Sequence, residues 1–286
     1  MWIFLVIGSA VLLGLYDVAK KHSLAQNDPL TVLLCTTALT TLFLCPWLYL
    51  EPGTVQGHEA LMLKALLVTT SWIAGMLALQ LLPITLVSTM KAARPMLVLI
   101  LSILIFGERL NLWQWAGSGL ALLAIFLLSL SSRRDGVSFV RSRGILWLVL
   151  SILAGAASAL YDKHILQGLQ LTPMFVQSWT NAYITILMAV ILLIRRKVRP
   201  GAERPFRWDW TLLLIAIFIT AADALYFFAV HSEGALLSVI SLVRRSSVLV
   251  TFVTGAIFFK EKNLFRKSVA LFVMLVAMIL IFVGTL

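Results

Sequence analysis

The sequence is poor in charged residues and has only two cysteines. Charged residues make up 12% of its 286 positions and hydrophobic residues 61%, whereas a soluble domain is about a quarter charged and about half apolar. This composition excludes an ordinary soluble enzyme and a disordered chain. Cys35 and Cys45 stand ten residues apart in one apolar run, about 15 Å on a helix, which is too far for a disulfide. A disulfide-stabilised scaffold is therefore excluded as well.

Motifs of common enzyme classes are also missing from the sequence. It contains no His-Glu-x-x-His, no glycine-rich phosphate-binding loop before Lys-Ser/Thr, and no Gly-x-Ser-x-Gly. The histidines and cysteines are too scattered along the chain to suggest a metal site. We expect a protein that is not an enzyme and that carries no metal or cofactor.

Long apolar runs dominate what is present. A helix needs about 20 apolar residues to cross the hydrocarbon core of a bilayer. The sequence therefore predicts an all-α, polytopic membrane protein with ten transmembrane helices. The ten apolar segments, numbered in chain order, cover about 2–21, 30–50, 60–82, 84–106, 112–131, 144–167, 173–195, 209–232, 234–259 and 265–285.

Two sequence features recur between the first and the last five segments. Tyr16-Asp17, near the end of segment 1, recurs as Tyr161-Asp162 near the end of segment 6. A basic residue also precedes a glutamate by 17 positions in each half: Lys91 and Glu108, then Arg244 and Glu261. Because five is odd, consecutive copies must insert with opposite orientation, as in many secondary transporters.

The recurrence predicts two inverted five-helix repeats. The first repeat covers residues 1–131 and the second 144–286, with a basic connecting loop at 132–143. Between such repeats, we expect a binding site near the bilayer midplane.

Basic residues are distributed unevenly over the connections between segments. The formal net charge is +11, with 23 Lys and Arg against 12 Asp and Glu. Sixteen basic residues fall on the face of connections 1–2, 5–6, 7–8 and 9–10, against Lys64, Arg109 and Lys163 on the other. The positive-inside rule then predicts that both termini lie outside. We also expect an integral, multi-pass protein of a bacterial inner membrane. The expected partner is the lipid bilayer, not nucleic acid.

One run of residues resembles a known family. Phe106-Gly107-Glu108-Arg109-Leu110, followed by Gln114, Gly117 and Leu120, is similar to the end-of-repeat signature of EamA-type transporters in the drug/metabolite transporter superfamily. Glu261 repeats the pattern, with Lys260 in place of the glycine. The resemblance implies a ten-helix transporter. It leaves the substrate open, because the superfamily moves amino acids, sugars, nucleotide sugars, phosphorylated metabolites and cations.

A narrower resemblance lies in segments 4 and 9. Lys91-Ala92-Ala93-Arg94-Pro95 is similar to a Lys-x-x-x-Pro segment of sugar-phosphate/phosphate translocators, and Val243-Arg244-Arg245-Ser246 to their basic pair. The resemblance implies that Lys91, Arg244 and Arg245 clamp a phosphate. Arg94 departs from that pattern, which indicates either a more highly charged anion or a structural salt bridge.

Charged and polar residues within the segments mark the candidate site. A charge at bilayer depth costs at least about 2.5–3.5 kcal/mol unless it faces protein or water. One interior cavity, lined by residues from both halves of the sequence, accounts for all of these charged and polar residues. The candidate substrate-binding residues are Tyr16, Asp17, Trp72, Lys91, Arg94, Tyr161, Asp162, Asp223, Tyr226, Ser241, Arg244 and Arg245.

Surplus positive charge favours a small organic anion, phosphorylated or carboxylated, because guanidinium groups suit both. Alternating access is the expected mechanism, driven either by exchange of two anions or by proton coupling through Asp17, Asp162 or Asp223. The alternative is a proton-coupled exporter of amino acids or other zwitterionic or cationic metabolites. In that alternative the aspartates bind cargo and the arginines are paired off. A membrane-embedded enzyme or scaffold is a more remote alternative.

Several residues keep two interpretations. The basic residues either bind cargo or only neutralise Asp17, Asp162 and Asp223. The two Tyr-Asp pairs are either gate or proton-carrying residues, or helix-end contacts. Trp72 either packs or lines the cavity. The protein is expected to be a monomer or a homodimer.

Overall fold

The computed structural model describes residues 2–81, 94–131, 143–198, 206–247, 250 and 264–284, and these residues contain helices but no β-strand. The first half contains α1 (Trp2–Gln26), α2 (Pro29–Phe43), α3 (Cys45–Leu50), α4 (Val55–Leu81), α5 (Arg94–Phe106) and α6 (Leu112–Ser131). The second half contains α7 (Arg143–Lys163), α8 (Pro173–Val198), α9 (Trp210–His231), α10 (Leu237–Arg245) and α11 (Leu264–Val283).

Several of these helices are long and apolar enough to cross a membrane. Within the described residues there are five: Trp2–Leu24, Val55–Ala78, Arg143–Gly168, Pro173–Val198 and Trp210–His231. Shorter apolar helices cover Pro29–Phe43, Arg94–Phe106 and Phe272–Val283. The predicted all-helical class is confirmed for the described chain, in agreement with the rule that a helix satisfies its own backbone in lipid. The count of ten and the inverted repeat stay predictions.

Local sequence explains where these helices begin and break. Asp28 caps α2 by accepting a hydrogen bond from the Leu30 amide at 3.1 Å, with Pro29 as the first helical residue. Asp209 caps α9 in the same way, and hydrogen bonds from Thr211 hold the pKa of its carboxyl below the ordinary value. Segment 2 is divided at Leu44, because Pro46 cannot donate a helical hydrogen bond.

The end of segment 6 also departs from a regular α-helix. After Lys163 the chain continues as a π-helical turn over His164–Gly168, closed by a hydrogen bond of 3.0 Å from the Leu169 amide to the His164 carbonyl. Such turns are rare in proteins as a whole, and those that occur are often found at functional sites. This one directly follows Asp162 and Lys163.

Helices from the two halves pack against each other in pairs. The pairs are α1 with α9, α2 with α8, α4 with α7, α5 with α10 and α6 with α11. Small residues bring them close, as in other membrane helix bundles. Ser71 and Ser151 each donate to the other's backbone carbonyl at 2.7 Å, and Ser9 donates to the Ala222 carbonyl at 2.7 Å.

Two lysines assigned to connections in the sequence lie inside this bundle. Lys64 is 3% exposed within α4, and Lys163 is 9% exposed at the end of α7. Neither is an interfacial loop charge, so of the three basic residues counted on that face only Arg109 is exposed. The largest apolar core surrounds this end of the bundle, where α7, α9 and α10 meet.

Candidate functional site

A cavity of about 390 Å³ lies between the two halves of the chain. Side chains from α1, α4, α5, α7, α8, α9 and α10 line it. Its walls combine aromatic and aliphatic groups with several charged groups. The cavity is therefore large enough for a small metabolite and chemically able to hold a polar one.

The structure brings together most of the residues predicted from the sequence. The following predicted residues line the cavity: Tyr16, Asp17, Trp72, Arg94, Asp162, Asp223, Tyr226, Ser241, Arg244 and Arg245. Lys91 lies outside the described residues. Tyr161 does not line the cavity, because its ring stacks on His164 at a centroid distance of 5.7 Å. Of the two interpretations of Trp72, the structure favours the cavity-lining one.

Arg244 is held between a carboxylate and an aromatic ring. It donates from Nη2 to Asp223 Oδ1, and its guanidinium carbon lies 4.2 Å from the centre of the Tyr226 ring. Its Nε is buried and has no hydrogen-bond partner among the described groups. Arg244 is thus neutralised in part and keeps one donor unused.

A second ion pair involves a lysine that the sequence reasoning missed. Lys64 Nζ pairs with Asp162, and the Tyr226 hydroxyl donates to Asp162 Oδ2 at 3.0 Å. The Lys64 ammonium also lies 5.1 Å from the centre of the Phe227 ring. Its apolar neighbours within segment 3 were the available signal, because a lysine inside such a run needs a buried partner.

The Arg94 side chain packs against α7 at Gly155, a position that has no side chain. It donates from Nη2 to the Gly155 carbonyl. A Cβ atom at Gly155 would lie 2.6 Å from the Arg94 guanidinium carbon. Arg94 therefore depends on glycine at this position.

Asp17 and Arg245 form the remaining charged part of the lining. Both residues line the cavity. Lys20, one turn beyond Asp17 in α1, donates to the Tyr16 hydroxyl at 3.0 Å. Asp17 is exposed, consistent with its position on the cavity lining.

The described lining holds one more cation than carboxylates. Its cations are Lys64, Arg94, Arg244 and Arg245, and its carboxylates are Asp17, Asp162 and Asp223. Two cations have carboxylate partners at contact distance, in the Lys64–Asp162 and Arg244–Asp223 pairs. Within the described ranges, no group of three or more His, Cys, Asp or Glu side chains can hold a metal ion.

A family model for the EamA-like transporter family matches residues 1–130 and 142–283. The chain belongs to this family. Members of the EamA-like family are transporters, so the chain is an integral, multi-pass membrane protein, and a role in moving small molecules follows. The resemblance to sugar-phosphate/phosphate translocators rests on a few residues only, and one of them, Lys91, lies outside the described residues.

The fold of the chain is shared with solved structures. One, described as "Crystal structure of protein", matches with a TM-score of 0.71 and 15% sequence identity over 98% of this chain and 95% of its own. No curated protein matches the chain significantly. The EamA-like fold therefore extends over nearly the whole chain, while the substrate has to be argued from the cavity.

Proposed function

We propose that this EamA-like protein is a secondary transporter that carries a small organic anion, carboxylated or phosphorylated, through the central cavity. The observation that carries the proposal is the surplus cation in a cavity lined by both halves of the chain. Cations confined at low dielectric repel one another by about 4 kcal/mol at 4 Å and an effective dielectric of 20. An anionic cargo relieves that repulsion.

Arg94 and Arg245 are the proposed primary anion ligands. Both line the cavity, and neither occurs in the carboxylate ion pairs formed by Lys64 and Arg244. Guanidinium groups match the two oxygens of a carboxylate or a phosphate. Arg244, which also lines the cavity, adds a third guanidinium group. Tyr16, Trp72 and Tyr226 supply apolar surface for the rest of the cargo, and Ser241 supplies a hydroxyl.

Alternating access between two inverted repeats is the proposed mechanism. Support comes from the packing pairs, because exchanging the two halves converts the α1–α9 pair into the α4–α7 pair and leaves the other pairs unchanged. That pattern is expected of a pseudo-two-fold axis. The proposed repeats are residues 1–131 and 144–286. Exchange of one anion for another needs no ion gradient, since each anion neutralises the site in turn.

The ion pairs favour a second candidate, export of an amino acid or a related zwitterion. Arg244 is bonded to Asp223 and Lys64 to Asp162, so part of the basic set is neutralised within the protein. In this candidate, Asp17 binds the ammonium group of the cargo while Arg94 binds its carboxylate. Proton coupling through an aspartate then replaces exchange.

Thermal stabilisation of the purified protein distinguishes the two candidates. A ligand that binds only the folded state raises the melting temperature. The panel contains matched sets in which one carbon skeleton carries an acid, the corresponding amide, an amino acid or an amine. We expect the acids to stabilise and their amides to have no effect. Stabilisation by amino acids alone would favour the zwitterion exporter, and stabilisation by amines would contradict anion transport.

Arg94→Gln and Arg143→Gln form the matched variants for this experiment. Arg143 is an exposed arginine at the beginning of α7 and does not line the cavity. We expect the Arg94 variant to lose the response to acids and the Arg143 variant to keep it. If the two variants respond equally to acids, the acids do not bind in the cavity.

A further inference from the structure

Glu108, the acidic residue of the family signature, is buried at one end of the bundle and does not line the cavity. Its side chain is 2% exposed. α5 ends at Phe106, and Gly107 follows with φ of +61°, a left-handed conformation that glycine adopts without strain. The chain thereby turns at the end of α5, and Glu108 contacts the second half of the protein.

Glu108 supplies the N-terminal cap that α10 lacks in its own sequence. The residue before α10 is Leu236, which has no polar side chain. Glu108 Oε1 accepts from the Leu237 amide at 2.8 Å, and Oε2 accepts from the Ser238 amide at 3.1 Å and from the Ser238 hydroxyl. A carboxylate at this position satisfies free backbone donors and complements the helix dipole.

The same carboxylate also binds the end of α7. Lys163 Nζ donates to Glu108 Oε1 at 2.6 Å and lies 5.0 Å from the centre of the Phe106 ring. The residue before Lys163 is Asp162, which faces the cavity and pairs with Lys64. Two adjacent residues of α7 therefore connect Glu108 to the cavity.

Each helix that meets Glu108 also carries a charged residue of the cavity. α5 carries Arg94, α7 carries Asp162, and α10 carries Arg244 and Arg245 about 9 Å along the helix from Ser238. We propose that Glu108, with Lys163 and the beginning of α10, is a latch that closes this face of the transporter and positions α10 for cargo. This inference rests on the proposed alternating access.

Opening of this face requires α10, α7 and the end of α5 to separate from one another. All of the Glu108 contacts then break together, because one carboxylate makes them. Loss of a charged hydrogen bond changes a two-state population by roughly tenfold or more. Weakening the latch therefore shifts the protein toward the state that is open at the Glu108 face.

Labelling of a cavity cysteine from each side of the membrane tests the latch. Ser241→Cys is introduced after Cys35→Ala and Cys45→Ala, and a membrane-impermeant maleimide is applied to right-side-out and inside-out vesicles. Arg109→Cys in the same background identifies the Glu108 face, because Arg109 is exposed beside Glu108. We expect Glu108→Gln and Lys163→Met each to accelerate labelling from that face at least about tenfold, with slower labelling from the opposite face.

Gln167→Ala is the matched control. Gln167 lies at the same end, and its side chain donates to the Val230 carbonyl at 2.6 Å and the Ser232 carbonyl at 3.3 Å, at the end of α9 rather than on α5 or α10. Acceleration in this variant equal to that in Lys163→Met would overturn the latch. An unchanged ratio of the labelling rates from the two sides of the membrane in Lys163→Met would also overturn it. In Lys163→Met, Glu108 can still cap α10, so this variant provides the test if Glu108→Gln does not fold.

The labelling uses no cargo, so the latch and the proposed function fail separately. Unchanged labelling in a protein that responds to acids overturns the latch alone. If the labelling ratio shifts but no compound of the thermal-stabilisation panel binds, the proposed cargo is wrong and the latch is still supported.

Discussion

At the scale of single residues, the cavity divides its arginines into two kinds. Arg244 is engaged with Asp223 and stacked on Tyr226, whereas Arg94 is bonded to a backbone carbonyl. A backbone carbonyl is a neutral partner, so the charge of Arg94 is left to be balanced by something else. This division makes the two residues separable by substitution.

Arg244→Lys tests whether the guanidinium of Arg244 takes part in binding. Lysine keeps the charge that pairs with Asp223 but loses the planar fork and the unused Nε. We expect transport to fall roughly 10- to 100-fold, since about 1.5–3 kcal/mol is lost with a charged hydrogen bond. The melting temperature should change little. Wild-type transport in this variant would reduce Arg244 to a partner of Asp223.

Gly155→Ala tests the position of Arg94 without changing any polar group. The new Cβ would lie 2.6 Å from the guanidinium carbon, and Arg94 has to move because it is the flexible partner. We expect weaker binding of acids with little loss of stability, measured by titration calorimetry and thermal unfolding. The double variant with Arg94→Gln should bind no more weakly than Arg94→Gln alone. Additive losses would contradict an effect exerted through Arg94.

Most of the cavity-lining residues could be predicted from the sequence, because a charge inside an apolar run is costly unless it faces protein or water. Sequence reasoning missed Lys64, which stands near the beginning of segment 3 and was assigned to the interface. Its burial depends on Asp162 from the other half, a contact that no local pattern contains. Tyr161 was included because it precedes Asp162, yet consecutive residues of a helix point about 100° apart.

At the scale of elements, close packing between α6 and α11 depends on one glycine. A Cβ at Gly117 would lie 2.9 Å from the Ala277 carbonyl oxygen and 2.9 Å from the Ile281 amide nitrogen, both of which are backbone atoms. Backbone cannot yield as a side-chain tip can. Gly117 therefore sets the distance between the two helices.

Gly117→Ala is expected to destabilise the protein by about 1–3 kcal/mol, the usual cost of overpacking. Thermal unfolding of the purified protein in detergent measures the change. Gly119→Ala is the matched control two residues away, where no described atom from beyond the local helix backbone lies within 4 Å of the added Cβ. Equal melting temperatures for the two variants would contradict the close approach of α6 and α11.

Helix bounds were predictable where capping and proline chemistry are local. Pro29 and Asp28 begin α2 as such a pair should, and the Asp209 cap does the same for α9. The break at Leu44 was not predicted, although Pro46 was its signal, because the apolar run continued without interruption. The π-helical turn after Lys163 carries no local sequence signal that we recognise.

At the scale of the whole molecule, charge distribution predicts the orientation. Burial of Lys64 and Lys163 removes two of the three basic residues counted on the poorer face, which strengthens the asymmetry. Both termini are expected outside. A reporter that is active only in the cytoplasm should be silent when fused to the C-terminus and active when inserted in the basic loop at 132–143. The reverse result would invert the assignment.

Transport by proteoliposomes measures directly whether an anion passes through the central cavity. Vesicles are loaded with the acid that stabilises the protein best, and uptake of the same labelled acid is measured for wild type, Arg94→Gln, Arg245→Gln and the exposed control Arg143→Gln. We expect exchange by wild type and the control, with losses of roughly tenfold or more in the two cavity variants. Undiminished exchange in both cavity variants would contradict an anion path through this cavity.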